Sequence, residues 1–344
     1  RKRNQIILDL YEGMKLAADT LEKQGVRISL RAYDTERNIT RIKNILSTDE
    51  LKSTDLIVGP YFQEENDLIQ EFSQAQKINV FNPLSGNSDI TGVNPFAFLF
   101  QPSYETLGRK SAEFLASYKL KKKNCMVFYG TTRRDSLMAA NFIQTANAKG
   151  LTIVSALKIP KESVGKIIPT LATATEYDEF KYPKQFTLKK DSLGSIYVAS
   201  DDALIYAKVL SSVEQRGDSI LVLGAEDWIE QPVVGLEKFQ TLPVVLAAPN
   251  AIIQGNKHYA AFFKKFLKEH GRAPDLYARI GYEFMLFAGT QLKKHGVYFQ
   301  EEMSKQTFIP GFLTSGFNFQ LSRDNQLVPF ISLKDGKVGL VDKR

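Results

Sequence analysis

Short apolar runs that end in Gly, Pro or Asn alternate along this chain with longer stretches whose apolar residues recur every three to four positions. The first kind reads as buried strands and the second as amphipathic helices. Residues 54–88 show the unit most plainly. Leu56, Ile57 and Val58 are too few for a helix and stop at Gly59-Pro60, where proline removes a donor and glycine permits an unusual φ. Leu68, Ile69, Phe72 and Ala75 then share one helical face, and Ile78, Val80 and Phe81 form a second strand that stops at Pro83 before a polar loop. Strand, crossover helix and strand make one βαβ unit. In open parallel sheets ligands sit beyond the carboxyl ends of strands, so the loops 59–63 and 82–88 are the first candidate site, with Tyr61, Phe62, Gln63, Pro83, Leu84 and Ser85 as candidate contacts.

The same grammar runs through most of the chain. The pattern predicts a helix over 5–24 stopped by Gly25, an alternating strand over 26–31, a helix over 38–51 and a strand over 96–100. A second series follows: helix 104–118, strand 125–129, helix 136–148, strand 151–159, helix 164–174, strand 195–199, helix 203–216 and strand 220–223. After a strand at 244–247 come two long helices, 257–270 and 276–295, and alternation returns over 317–341 as an antiparallel meander. Strands alternating with helices imply an α/β protein with doubly wound parallel sheets. Residues 176–192 break the rhythm with a connection longer than the usual few residues. They read as a surface flap; the alternative makes Tyr177, Phe180, Tyr182 and Phe186 a patch for a partner.

Composition narrows the function classes. A chain of 344 residues, 43% hydrophobic, is long enough for two lobes with separate cores. The net charge of +7 comes from scattered pairs and triplets such as Lys121-Lys122-Lys123 and Lys264-Lys265, which read as solvated faces rather than a nucleic-acid surface. Cys125, the single cysteine, sits in an apolar run and reads as core. No apolar segment reaches the roughly 18 residues that span a bilayer, and residues 1–4 do not form a signal peptide. An enzyme finds little support: no Gly-rich phosphate loop follows a strand, no GxSxG is present, and His258, His270 and His295 lack metal-ligand spacing. No cofactor is expected.

Three further strand ends carry candidate chemistry. Arg133 and Arg134 stand between a strand and a helix, where one can offer a bidentate fork to a carboxylate or phosphate, or both can be an exposed helix start. Ser200 and Asp201 close another strand, with helix capping as the competing role for Asp201 and Asp202. Glu226 and Asp227 follow a third strand and serve either a ligand or a helix cap. Trp228, the only tryptophan, either stacks on a ligand or fills a gap between helices.

The order of elements, the VGP after the third expected strand, the NPLS after the fourth and HGRAPDLYARIGYEFMLFAGTQLKKHG at 270–296 resemble the type I periplasmic solute-binding proteins, particularly the branched-chain amino-acid receptors of ABC importers. The closing SGFNFQLSRDNQLVPFISLKDGK also looks like that family's terminal hairpin, and the resemblance spans essentially the whole chain. It implies two lobes joined by three crossovers near 100–103, 247–251 and 308–314, closing as a hinge on a small ligand. Lobe 1 is then 1–101 plus 251–312 and lobe 2 is 102–250 plus 313–344. Family members open with a central strand that this sequence lacks, so that strand is expected upstream of residue 1.

The resemblance also implies ligand contacts. Small hydroxyl residues usually follow the GP turn, where this chain has Tyr61-Phe62-Gln63; the hydroxyl after the fourth strand is kept as Ser85. A second-lobe loop that usually carries Tyr-Gly reads Thr131-Thr132-Arg133-Arg134-Asp135, and the acidic residue that grips a ligand ammonium corresponds to Glu226 or Asp227. The implied function is a non-catalytic binding protein of the periplasm or cell envelope. It takes an amino acid or short peptide and hands it to an ABC permease. The alternative is a ligand-free interaction module that meets a cell-wall protein, as in relatives attached to LysM modules; the altered 61–63 loop and the 176–192 excursion favour it.

Overall fold

The structure, a computed structural model, describes residues 2–230, 233–252 and 255–341. The chain begins with α1 (Lys2–Glu22), α2 (Ile39–Leu46) and α3 (Asp49–Lys52), then β1 (Leu56–Val58), α4 (Asn66–Gln76), β2 (Asn79–Asn82) and β3 (Ala97–Leu99). It continues through α5 (Tyr104–Ser117), β4 (Asn124–Tyr129), α6 (Arg133–Ala148), β5 (Thr152–Lys158), α7 (Ile167–Ala172), β6 (Ala174–Tyr177), β7 (Pro183–Phe186) and β8 (Ser195–Ala199). Next come α8 (Ala203–Arg216), β9 (Leu221–Ala225), α9 (Asp227–Glu230), α10 (Leu236–Thr241) and β10 (Val244–Ala247). The helices α11 (Lys257–His270), α12 (Leu276–His295) and α13 (Gln300–Met303) precede the hairpin β11 (Phe330–Lys334) and β12 (Lys337–Leu340). Contacts divide the chain into unit 1, Arg1–Ser103 with Ile252–Leu327, and unit 2, Tyr104–Ala251 with Val328–Arg344.

Unit 1 is built on a parallel sheet in the order β1-β2-β3. The period-2 alternation of a strand sends neighbouring side chains to opposite faces. Val80 and Ala97 go to a small cluster with Ile42 and Ile69, while Phe81 and Phe98 go to the main core. That core is aromatic: Phe81 stacks on Phe98 with centroids 5.0 Å apart, and Phe100 lies 4.7 Å from Phe317. Against it lie α1 and α12, which approach so closely that a Cβ on Gly13 or Gly281 would stand 2.0 Å from a carbonyl oxygen of the other helix. Glycine is required at both positions.

Three expectations for unit 1 are corrected. Residues 26–31 form no strand: Val26, Ile28 and Leu30 pack on the core, but β1 pairs only with β2, so among the described residues the alternating segment has no ladder partner. The helix expected over 38–51 is two helices, because the Ser47 and Thr48 hydroxyls donate to the carbonyls of Asn44 and Ile45 and Thr48 then caps α3. Residues 313–327 belong to unit 1, not to the second lobe, because Phe317 and Phe319 complete the aromatic core and Phe317 bridges to Ile309 rather than to the terminal hairpin. The third passage between units therefore falls at 327/328 instead of 308–314, and the meander reduces to a hairpin.

The 312–314 loop is held by Glu283 of α12, whose buried carboxyl accepts the N–H of Phe312 at 2.9 Å, the N–H of Leu313 at 2.7 Å and the Thr314 hydroxyl at 3.1 Å. Burial raises its pKa despite these donors. Glu283→Gln replaces one acceptor by an amide donor facing them and is expected to cost about 1–3 kcal/mol. A denaturant titration reads this directly, and an unshifted midpoint would show that the clamp is dispensable.

Unit 2 carries a sheet in the order β12-β11-β10-β9-β8-β4-β5, parallel except for the antiparallel β11 and β12. Alternation again sorts the faces: Met126, Phe128 and Val222 join α7 and α8, whereas Cys125, Val127 and Leu223 join α5 and α6. Sequestered this way, the Cys125 thiol is pushed up to about 11, which fits a core residue rather than a nucleophile. The 176–192 excursion is an ordered hairpin, β6–β7, whose turn is fixed by Asp178 Oδ1 accepting the N–H groups of Phe180 and Tyr182. Tyr177, Phe180 and Tyr182 are exposed, while Phe186 is buried in the unit 2 core.

Candidate functional site

The carboxyl ends of β1 and β2 open onto a cavity of about 360 Å³ within unit 1. Gly59 turns the chain out of β1 with φ +115°, a conformation glycine alone adopts freely, while its N–H still donates to Phe81 O at 2.8 Å. Asn82 ties the two loops together. Its Oδ1 accepts the N–H groups of Leu84 (3.0 Å) and Ser85 (2.8 Å), and its Nδ2 donates to Pro60 O (2.7 Å). Asn66, at the start of α4, donates to Ile90 O (3.2 Å) and accepts from Gln70 (3.3 Å). The walls come from Ile6, Ile7, Leu84 and Ile90, with Tyr61 and Phe62 beside them.

Three polar groups of this cavity are unspent. Among the described residues the Tyr61 hydroxyl has no hydrogen-bond partner, and burial raises its pKa, so it stays a neutral donor. Ser85 Oγ accepts the Asn87 N–H at 3.0 Å, leaving its own O–H to donate, and the side-chain amide of Asn87 donates to nothing within the described residues. The Arg37 guanidinium stacks 3.8 Å over the ring of Phe62. Of the other sequence candidates here, Pro83 is buried without lining the cavity, and the side chain of Gln63 lies outside the described part. Sequence reasoning missed Ile6, Ile7, Asn66 and Asn87; the one readable signal was the polar 85–88 loop, whose Asn87 caps a turn.

In unit 2 the strand-end candidates come together, though on one another. Arg134 pairs with Asp201 and with Asp227, the latter at 2.7 Å, so the expected fork is an internal bridge between the ends of β8 and β9. The Ser200 hydroxyl donates to Asp135 Oδ2 at 3.2 Å beneath it; burial raises the Asp135 pKa. A Cβ on Gly130 would stand 2.2 Å from that oxygen. Glu226 is buried and accepts both the N–H (3.1 Å) and the side-chain amide (2.7 Å) of Asn250. Burial first, and then the nearby Asp227 charge, push it up to about 8. Trp228 is fully buried, its ring stacked 4.7 Å from Tyr206, its indole N–H donating to Ser200 O, and its edge where a Cβ on Gly224 would go. The expectation that it stacks on a ligand is corrected, since no face remains open. Arg133 is exposed at the start of α6.

A larger depression, about 1070 Å³, runs along the outer edge of β3 in unit 1. Two of its charged groups are committed to the fold: the Arg323 guanidinium donates to the carbonyls of Thr91, Gly92 and Asn94, and Asp324 accepts the Ser103 N–H at 2.8 Å. It is a seam between two turns and the sheet edge that reaches Leu99 at the end of β3.

No family model matches the sequence, and no curated protein does. Solved structures do match along nearly the whole chain. A branched-chain amino acid ABC transporter protein from Rhodospirillum rubrum superposes with TM-score 0.75 at 14% identity, covering 98% of this chain and 95% of that one. The chain has the type I periplasmic binding fold. Other proteins with the periplasmic binding fold that it resembles include an ABC transporter substrate-binding protein from Desulfitobacterium hafniense in complex with Leu (TM-score 0.65, 17% identity, 96% and 95% covered). A solute-binding protein from R. palustris in complex with benzoate matches with TM-score 0.58 at 15% identity, covering 98% and 91%. At such identities it is the periplasmic binding fold that is shared. The alternating strands and helices read from the sequence, and the terminal hairpin, agree with it.

Proposed function

We propose that this protein is a non-catalytic solute-binding protein of the cell envelope that holds a small organic ligand in the cavity at the ends of β1 and β2 and serves an ABC permease. The observation that carries this reading is the cavity itself: an apolar-walled pocket at the position where parallel sheets bind ligands, with three unspent polar groups converging on it. Its volume is at the low end of the roughly 300–1,000 Å³ typical of ligand sites, which suits a molecule of amino-acid size. The solved relatives include complexes with Leu, isoleucine and benzoate, ligands of this size class. No helix among the described residues is long and apolar enough to cross a membrane.

A thermal-shift panel of amino acids, short peptides, small organic acids and muropeptide fragments tests the reading. A ligand at 100 times its Kd is expected to stabilise by about 2.7 kcal/mol. Ser85→Ala removes one donor from the cavity and the acceptor of the Asn87 N–H, and is expected to raise that Kd about 5- to 20-fold while costing the free protein about 1 kcal/mol. The rival reading, an interaction module without a ligand, is favoured by the exposed aromatic tip of the β6–β7 hairpin, where Phe180 is 73% exposed. Silence across the whole panel from a folded protein decides for that module.

A further inference from the structure

Lysine runs that lie apart in the sequence meet at one end of unit 2. Its sheet sets β8, β4 and β5 side by side and parallel, so all three strands begin at the same end. Lys119, Lys121, Lys122 and Lys123 lead into β4, Lys149 stands just before β5, and Lys189 and Lys190 precede β8. Hydrogen bonds fasten these leads together: the Thr152 N–H donates to Lys123 O at 2.9 Å, the Gly194 N–H to Asn124 O at 2.9 Å, and the Asn124 side-chain amide to Ser192 O at 3.0 Å. A Cβ on Gly194 would stand 1.8 Å from the Lys122 carbonyl oxygen, so glycine is what lets the lysine loop lie this close to β8. Neighbouring strands are about 4.8 Å apart, so the three starts fall within little more than one Debye length of about 8 Å.

These charges are unspent. Lys190 is half-buried with its Nζ 5.5 Å from the centre of the Phe186 ring, and the other six lysines are exposed. Among the described residues none of the seven ammonium groups has an ion pair or a hydrogen bond. Elsewhere lysines are matched: Lys110, Lys238, Lys265 and Lys305 each hold a carboxylate. Of the acids beside the cluster, Asp218 is taken by Arg216, and Asp191 is exposed. Seven lysines against that one open carboxylate come close to the net charge of the whole chain, +7, which leaves the remainder near balance.

The residue types select the partner. All seven are point cations on flexible stems, without the arginine fork that fixes a phosphate bidentately. The rings in the same segments are closed to stacking on bases, since Tyr118 packs on Phe114 with centroids 5.5 Å apart and Phe186 is buried. Sequence-tolerant binding of nucleic acid strands uses open rings; a fluid layer of anionic headgroups needs none. The amino ends of these strands also lie opposite the carboxyl ends that carry Arg134 and Asp201, so unit 2 can rest on a surface with that other end open.

We propose that the amino-end lysines of the unit 2 sheet dock this protein on an anionic lipid bilayer, independently of what the unit 1 cavity holds. Sedimentation of the whole chain with vesicles tests this. At about 50 mM salt, phosphatidylcholine vesicles containing about one-third phosphatidylglycerol are expected to bind it tenfold or more tighter than pure phosphatidylcholine, and about 300 mM salt should remove most of the difference. Joint substitution Lys121→Gln, Lys122→Gln and Lys123→Gln is expected to weaken that binding tenfold or more. Lys257→Gln, Lys264→Gln and Lys268→Gln together take the same charge from α11 and should change it by less than about twofold. All six positions are exposed, so both triple variants should melt with the parent. Equal losses in the two variants would assign the binding to net charge and overturn the docking surface. Indifference to phosphatidylglycerol overturns it as well, and so does capture of a short DNA duplex through the same lysines by a chain that ignores the vesicles.

Discussion

Arg216→Ala is expected to destabilise unit 2 by about 3–5 kcal/mol, the cost of stranding a buried counter-charge. Arg216 ends α8 with no exposed surface at all, a position arginine takes only when every donor is matched. Its Nε donates to Asp218 Oδ1 at 2.9 Å, one terminal nitrogen donates to the carbonyls of Leu171 and Leu188 at 2.6 Å, and the other reaches Asp218 Oδ2 and the Lys189 carbonyl. Three segments are tied at one point: the end of α7, the return of the β6–β7 hairpin and the turn after α8. Truncation leaves Asp218 charged and buried and takes their side-chain donor from the Leu171 and Leu188 carbonyls, while the Lys189 carbonyl keeps the Ser192 hydroxyl. Denaturant melts followed by limited proteolysis read the effect, with cleavage expected to move into 174–192. Arg216→Lys keeps the charge but loses the planar fork, so most of the loss should persist. A wild-type midpoint in both variants would show that the hairpin is anchored elsewhere.

The stability of unit 2 is expected to fall as the solution becomes alkaline, through Glu226. A free glutamate carboxyl titrates near 4.5, and burial in the folded chain pushes Glu226 up to about 8, with Asp227 and Glu230 opposing its charge and the Asn250 donors favouring it. The folded state therefore holds this proton more tightly than the unfolded state. The associated stability is fully present below about pH 4.5 and is lost as pH rises through about 8, with a total fall on the order of 4–5 kcal/mol. Glu226→Gln keeps an acceptor for Asn250 and carries no charge, so its unfolding free energy should stay flat over the interval where the parent declines. A parallel decline in both proteins assigns the pH dependence to other groups. Asn250 stands next to the passage of the chain from unit 2 to unit 1, so the same titration loosens the segment that leads out of unit 2.

Period was the legible quantity in this sequence. Short apolar runs closed by turn residues located β2, β4 and β9, and the alternation of side chains along each strand decided which core each one entered, since Phe81 and Val80 could not face the same way. Recurrence at three to four residues located α4, α8 and α12, and Gly59-Pro60 marked the end of β1 because proline removes a donor and glycine permits the φ of +115° found there. Those signals are local, so the chain carries them in any context. They were enough for the α/β class and for naming the two loops that frame the cavity.

Partnership was decided by the tertiary structure. Residues 26–31 have the alternation of a strand and no ladder, because a strand exists only with a neighbour. Phe317 and Phe319 read as strand residues of the second lobe, and the aromatic core of unit 1 claimed them. The acidic and basic strand ends of unit 2 read as open hands; folding brought Arg134 between Asp201 and Asp227 and gave Glu226 to Asn250. A carboxylate in sequence shows its charge but not its counter-ion, because ion pairing depends on distances of a few ångströms between residues 67 and 93 positions apart. The sequence by itself determined the elements, their faces and the positions of the loops. Only the fold decided which polar groups were consumed in holding it together and which were left open in the unit 1 cavity, because each polar atom meets its partner only when distant segments are brought into contact.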